Sequence, residues 1–128
     1  MLQYCGNKII NIRRRRSLIG DNQGDNVFIN AGCKFQDQGR IAIGDGTFIG
    51  HNTVLATLDH DIAPEKRHIL HPAPIHIDSR VWIDANVVIT KGVSIGDNSI
   101  IAAGAVVTHD IPANVIAAGV PTKVLREL

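Results

Sequence analysis

The chain has 128 residues, enough for one domain with an apolar core but too few for a separate catalytic module. Its formal net charge of +1 gives no global field that would favour nucleic acid or a membrane surface as partner. No stretch approaches the roughly 18 apolar residues of a membrane span. The charged run Arg13 to Arg16 also stands where a secretory signal peptide would need apolar residues. We therefore expect a cytoplasmic protein.

Residues 1–26 contain only imperfect repeats, and they predict an irregular N-terminal cap or first coil. Arg13 to Arg16 could grip nucleic acid or anionic lipid, but without aromatic residues or a basic face elsewhere a solvated segment is favoured. Cys5 and Cys33 show no pairing pattern, which suits a reducing compartment. Cys33 falls at a small, inward position of the repeat that follows, so we expect it to be buried.

A six-residue repeat of aliphatic residues dominates the rest of the chain. A helix would repeat every 3.6 residues or so and a strand every two, whereas one short strand plus one turn gives six directly. Turn-prone or small residues follow the aliphatic ones, and modest side chains lie four positions after them. The aliphatic positions are Ile43, Ile49 and Leu55, and then Ile77, Ile83, Ile89, Ile95, Ile101 and Val107.

Three such units would close a triangular coil, with the aliphatic residues inside and Gly, Asp or Asn at the corners. Stacked coils bury one continuous apolar column, so the prediction is a single all-β domain, a parallel β-helix shaped as a triangular prism, over residues 1–128. An ordinary β-sandwich would instead show alternation and irregular turn spacing. Phe35 and Ile43 are eight residues apart, which indicates two extra residues around Gln38 and Gly39 and a bulge at a corner.

The repeat loses its phase between Leu55 and Ile77. Residues 61–76 contain three prolines and a charged stretch, and they predict an external loop thrown out of one coil, with His60 as the last residue before it. From Ile111 the pattern dissolves, so residues 111–128 are predicted to form a C-terminal cap over the open end of the prism.

Several motifs together resemble the maltose and galactoside O-acetyltransferases of the hexapeptide-repeat acyltransferase superfamily. The similarity covers about residues 25–128, and it implies a left-handed β-helix. The motifs are Asn26-Val27-Phe28-Ile29-Asn30, Asp59-His60 with Pro64-Glu65-Lys66-Arg67, Val81-Trp82-Ile83, Gly92-Val93-Ser94-Ile95-Gly96-Asp97-Asn98, Gly104-Ala105-Val106-Val107-Thr108 and Ala118-Gly119-Val120-Pro121.

The resemblance also implies a homotrimer with sites in the clefts between prisms, acetyl-CoA lying along the coils, and direct acetyl transfer to a small acceptor such as a sugar. His60 matches the general base. The positions that match the acceptor pocket are Asn30, Asp37 or Gln38, and Trp82. The positions that match the CoA track are Ala85, Ala103, Gly104, Thr108, His109, Lys123 and Arg126. Such relatives usually carry an N-terminal helical segment that helps close the acceptor site, where this chain has Met1 to Arg16.

Acetyl transfer to a hydroxyl needs a base, and imidazole suits because it exchanges protons near neutral pH. It also needs hydrogen-bond donors for the oxyanion, for which backbone N–H groups at a corner near Ala85 are candidates. No covalent intermediate on the protein and no metal is required. Two alternatives stay open. One is a trimeric binding scaffold without catalysis, and the other is a zinc-dependent carbonic anhydrase-like protein that uses His71 and His76.

Overall fold

The structure is a computed structural model that describes residues 24–128 and the backbone of Leu2–Gln3. The run Arg13 to Arg16, Cys5 and most of the predicted N-terminal cap lie outside the described residues. The strands are β1 (Leu2–Gln3), β2 (Phe28–Ile29), β3 (Lys34–Gln36), β4 (Ile41–Ile43), β5 (Phe48–Ile49), β6 (Val54–Ala56), β7 (Leu58–His60), β8 (Leu70–Pro72), β9 (Ile75–Ile77), β10 (Trp82–Ile83), β11 (Val88–Ile89), β12 (Ser94–Ile95), β13 (Ile100–Ile101), β14 (Val106–Val107), β15 (Val115–Ala118) and β16 (Lys123–Glu127).

Most of these strands stack in parallel and form the three faces of a left-handed triangular prism. The register repeats from coil to coil, and Trp82 lies beside both Phe48 and Ile100. We call β2, β5, β10, β13, β15 and β16 the first face, β1, β3, β6, β11 and β14 the second face, and β4, β9 and β12 the third face. The predicted parallel β-helix is confirmed.

Turns join the faces at three corners, which we name by the faces they connect. The first corner, between the first and second faces, comprises residues 30–33, 50–53, 84–87 and 102–105. The second corner, between the second and third faces, comprises residues 37–40, 57–74, 90–93 and 108–110. The third corner leads back to the first face and comprises residues 24–27, 44–47, 78–81, 96–99 and 112–114.

The aliphatic residues of the six-residue repeat form the core, as predicted. All nine of them are at most 2% exposed, and Cys33 is fully buried. Asparagines at the corners adopt left-handed backbone conformations, for example Asn52 at φ 56° and Asn86 at φ 57°, which this side chain tolerates better than most. Corner hydrogen bonds then run between coils, as from the Asn86 N–H to the His51 carbonyl oxygen at 2.8 Å.

The interruption of the repeat is an antiparallel hairpin, formed by β7 and β8 with a short 3-10 turn at Pro64–Lys66 between them. The predicted loop, residues 61–76, ends too late, because Ile75–Ile77 is strand β9 on the third face. Ile41 to Ile43 pair with Ile75 to Ile77, so one coil carries sixteen inserted residues beyond its regular eighteen. His76 therefore lies on the prism, with its side chain exposed.

The prism also extends further along the chain than the predicted cap allows. Ile111 bridges to Ile95, and β15 continues the first face beside β13, so the coil persists to Ala118. Only β16 turns back, and it pairs antiparallel with β15 at the edge of that face. In the part of the chain that the structure describes, there is no helix long and apolar enough to cross a membrane.

Candidate functional site

His60 ends strand β7 on the hairpin that leaves the second corner. Its partner across the hairpin is Leu70, and its side chain is exposed. The stem of the hairpin is fixed by Thr57, which is fully buried: its hydroxyl donates to the Gln36 carbonyl oxygen at 2.6 Å and accepts from the Gly39 N–H at 2.8 Å. The His60 imidazole is thus exposed to solvent on a hairpin whose stem is fixed by hydrogen bonds.

The imidazole of His60 is held in one tautomer by the backbone of the hairpin turn. Its Nδ1 lies 2.5 Å from the carbonyl oxygen of Arg67. A carbonyl oxygen can only accept a hydrogen bond, so the proton of the neutral ring is assigned to Nδ1. The lone pair of the neutral ring is then on Nε2, which is the arrangement a general base needs.

A second set of contacts closes the hairpin turn around Asp61. One carboxylate oxygen accepts from the Ala63 N–H at 2.9 Å, and the other lies 2.9 Å from Nε2 of His71. The Ala63 hydrogen bond, and after it His71, hold the pKa of Asp61 below its ordinary value. Beside this turn, the carboxylate of Asp59 forms an ion pair with Lys91 Nζ at 2.8 Å.

Two of the predicted acceptor residues lie together, Trp82 on the first face and Asn30 at the adjoining first corner. Asn30 and Trp82 line a shallow groove of about 410 Å³, with Phe28, Phe48, Gly50, His51 and Asp84 among its other walls. The rings of Phe28 and Phe48 meet edge to face at 6.3 Å, and Trp82 is 49% exposed. Sequence reasoning missed the two phenylalanines, although both occupy outward positions one residue before a buried isoleucine.

The other two predicted acceptor residues, Asp37 and Gln38, lie at the second corner, one coil before the hairpin. Gln38 is exposed. One carboxylate oxygen of Asp37, Oδ2, is buried and has no hydrogen-bond partner among the described residues. Within one chain, the predicted acceptor residues are therefore divided between the groove at the first face and first corner, and the second corner.

The predicted CoA residues are distributed over three places. Ala85, Ala103 and Gly104 lie at the first corner, where the Gly104 N–H donates to the Ala85 carbonyl oxygen at 3.0 Å. Thr108 and His109 are exposed at the second corner, one strand further along the same coil. Lys123 and Arg126 belong to β16, whose residues are all exposed.

Backbone N–H groups at the first corner, near Ala85, are the predicted candidates for oxyanion donors, and they differ in whether they are already hydrogen-bonded. The N–H of Ala85 is already used, because it donates to Asp84 Oδ1 at 2.7 Å. Asn30 satisfies the N–H of Ala31 in the same manner. In the next coil Ala102 stands where Asp84 does here, and the exposed Ala103 N–H has no hydrogen-bond partner within residues 24–128. At this corner near Ala85, the backbone N–H that remains a candidate oxyanion donor is therefore that of Ala103.

The histidines suggested for zinc do not form a ligand pair. Nε2 of His71 contacts Asp61 on the hairpin, whereas His76 lies between Ala42 and Ser94 on the third face. Residues 24–128 contain no group of three or more His, Cys, Asp or Glu side chains that could hold a metal ion.

The chain has the fold of the hexapeptide-repeat left-handed β-helices. Residues 74–109 match the family described as bacterial transferase hexapeptide (six repeats). Galactoside O-acetyltransferase of Escherichia coli K12 is 44% identical over 107 residues, which are 82% of this chain and 53% of that protein. The chain thus spans about half the length of the curated relatives it matches.

Solved structures give the same result at the level of the fold. A hexapeptide-repeat acetyltransferase from Vibrio cholerae O1 biovar eltor, complexed with acetyl coenzyme A, superposes with a TM-score of 0.82 at 38% identity, over 85% of this chain and 62% of that one. A maltose O-acetyltransferase from Clostridium difficile 630 gives a TM-score of 0.81 at 41% identity, over 83% and 58%. The resemblance to hexapeptide-repeat acyltransferases, and to the maltose and galactoside O-acetyltransferases among them, is confirmed.

Proposed function

We propose that this chain transfers an acetyl group from acetyl-CoA to a hydroxyl group of a small acceptor such as a sugar. The observation that carries the proposal is the His60 imidazole, exposed on an anchored hairpin with Nδ1 bound to the Arg67 carbonyl oxygen. The relatives support the reaction class: one is named galactoside O-acetyltransferase, one maltose O-acetyltransferase, and a third, a hexapeptide-repeat acetyltransferase, was solved with acetyl coenzyme A.

In the proposed mechanism, Nε2 of His60 accepts the proton of the acceptor hydroxyl as its oxygen attacks the thioester carbonyl carbon. The resulting tetrahedral intermediate carries an oxyanion. The backbone N–H of Ala103, which has no hydrogen-bond partner among the described residues, is suited to stabilise it. The carbon–sulfur bond then breaks, and the imidazolium returns its proton to the CoA sulfur. Histidine ends the cycle neutral, and no acyl-enzyme is formed.

The proposed assembly is a homotrimer whose sites lie between neighbouring prisms. Two observations support it. The Asn30 and Trp82 groove is on the first face whereas His60 leaves the second corner, so one chain does not join them in a single pocket. The groove also exposes large apolar rings, with Phe48 at 54% and Trp82 at 49%, which a second copy would cover.

The proposed CoA track starts at the exposed backbone of Ala103 and Gly104 and ends near Lys123 and Arg126. Small residues at the first corner let an extended ligand approach the coils closely, and the two cations suit its phosphates. We also propose a cytoplasmic location, which the buried free thiol of Cys33 supports.

A scaffold without catalysis is the competing function, and one assay separates it from the enzyme. Purified protein is incubated with acetyl-CoA and a panel of sugars, amino sugars and other small alcohols, and release of the CoA thiol is followed. The proposal predicts acceptor-dependent thiol release and an acetylated product. Tight CoA binding with no release on any acceptor would contradict catalysis and favour the scaffold.

A further inference from the structure

Both residues that flank His60 are aspartates, and each carboxylate contacts a basic side chain that is distant in sequence. Asp61 contacts His71 within the hairpin, whereas Asp59 contacts Lys91 on the following coil of the prism. Of the ion pairs within residues 24–128, the one between Asp59 and Lys91 joins the hairpin to the prism. It contacts the hairpin one residue before the proposed base.

The opposite side of the hairpin is held differently. The Thr57 hydroxyl fixes the stem to Gln36 and Gly39, which belong to the preceding coil. Beyond that stem, all three residues of β8 are exposed. The Lys91 ammonium therefore supplies an ion-pair attachment of strand β7 to the following coil.

We propose that Lys91 is a positioning residue for the transfer reaction, acting through Asp59 to fix the direction in which the hairpin presents His60. The inference rests on the function proposed above. Successive side chains of a strand point to opposite sides, so the carboxylate of Asp59 can be tied down while the imidazole of His60 stays open. Lys91 itself does not touch the reacting atoms.

The partial exposure of the pair sets the size of the expected effect. The Lys91 side chain is 29% exposed and that of Asp59 is 55% exposed. Ion pairs of this kind bias an equilibrium by about two- to fivefold, and salt weakens them. Loss of the pair should thus lower the fraction of hairpins in the productive direction without unfolding the prism.

Steady-state kinetics on the full chain test this. Lys91→Met and Asp59→Asn should each lower kcat about two- to fivefold and leave the KM for acetyl-CoA unchanged. The exchanged pair, Asp59→Lys with Lys91→Asp, should recover most of the lost kcat. Lys66→Met is the matched control, because Lys66 lies on the same hairpin and has no ion pair within the described residues. High salt should bring the wild type to the level of Lys91→Met.

Three results would overturn the proposal: an unchanged kcat for Lys91→Met, an exchanged pair as slow as the single variants, or a raised KM for acetyl-CoA, which would make Lys91 a CoA ligand instead. Amide hydrogen exchange separates a failure here from a failure of the proposed function. The Asp61 N–H, which donates to the Ile69 carbonyl oxygen at 3.0 Å, should exchange faster in Lys91→Met than in Lys66→Met. This exchange measurement does not depend on acetyl transfer, so it can be made even if the protein has no activity. Equal exchange rates of the Asp61 N–H in the two variants would contradict the positioning role.

Discussion

The histidines of this chain differ in which ring nitrogen their surroundings leave available. His60 uses Nδ1 to donate to a backbone carbonyl, whereas His71 uses Nε2 toward a carboxylate. The sequence marks His60, because it stands where an intact coil ends and matches the base of a known family. Its tautomer could not be predicted, since the Arg67 carbonyl comes within reach only when the inserted residues fold back.

Substitution of His60 tests its proposed role as the general base. His60→Ala should lower the transfer rate by about two to four orders of magnitude, because it removes the proposed acceptor of the hydroxyl proton. The CoA dissociation constant, measured by calorimetry, should stay near normal, since His60 is exposed and outside the core. His76→Ala is the control, and an equal loss there would contradict a specific role for His60.

Among the structural elements, every coil from Ile77 to Val107 could be predicted from the six-residue spacing alone. Each short strand in this stretch buries one aliphatic residue of the repeat, so the pattern is visible within a few residues. The end of the hairpin was harder to predict from the sequence. Three prolines in residues 61–76 obscure the alternation of Ile75 and Ile77, which are buried on either side of the exposed His76. The ion pair of Asp59 with Lys91 joins residues 32 positions apart in sequence, and no local pattern encodes it.

The turn of the hairpin should respond to acid through Asp61. A carboxylate whose pKa is lowered on folding stabilises the folded form at pH values above its unfolded pKa, and this contribution is lost as pH falls through the folded pKa. Asp61→Asn should thus speed amide exchange at Ala63 near neutral pH, and the difference from wild type should vanish in strong acid. Glu65→Gln serves as the matched change on the same turn. If Asp61→Asn exchanges like wild type at neutral pH, the carboxylate does not hold the turn.

Strand β16 gives a prediction about CoA. Lys123 and Arg126 are exposed on it, and cations near phosphates act most strongly when little salt screens them. Changing both to alanine should weaken CoA binding at low ionic strength and much less at high ionic strength. A titration of each variant at two salt concentrations measures this, with Arg80→Ala at the third corner as the control. Equal affinity of the double variant and the wild type at low salt would remove β16 from the CoA site.

For the whole molecule, the prism is a packed support, and the proposed site lies on its outer surface. The core of the prism could be predicted from the sequence, because regularly spaced apolar residues fill its narrow interior. The arrangement of the proposed site could not be predicted from the sequence in this way. Its predicted parts lie on the first face and at the second corner, and residues that one chain holds apart are brought together only by a second copy in the proposed trimer.

Subunit complementation tests this central claim most directly. His60→Ala and Trp82→Ala are each expected to be nearly inactive, and the two variants are expressed together so that mixed trimers form. If His60 of one chain meets the Trp82 groove of its neighbour, random assembly of equal amounts leaves about a quarter of the sites intact, and roughly that share of wild-type activity should return. Mixed trimers as inactive as the single variants would contradict a site shared between chains.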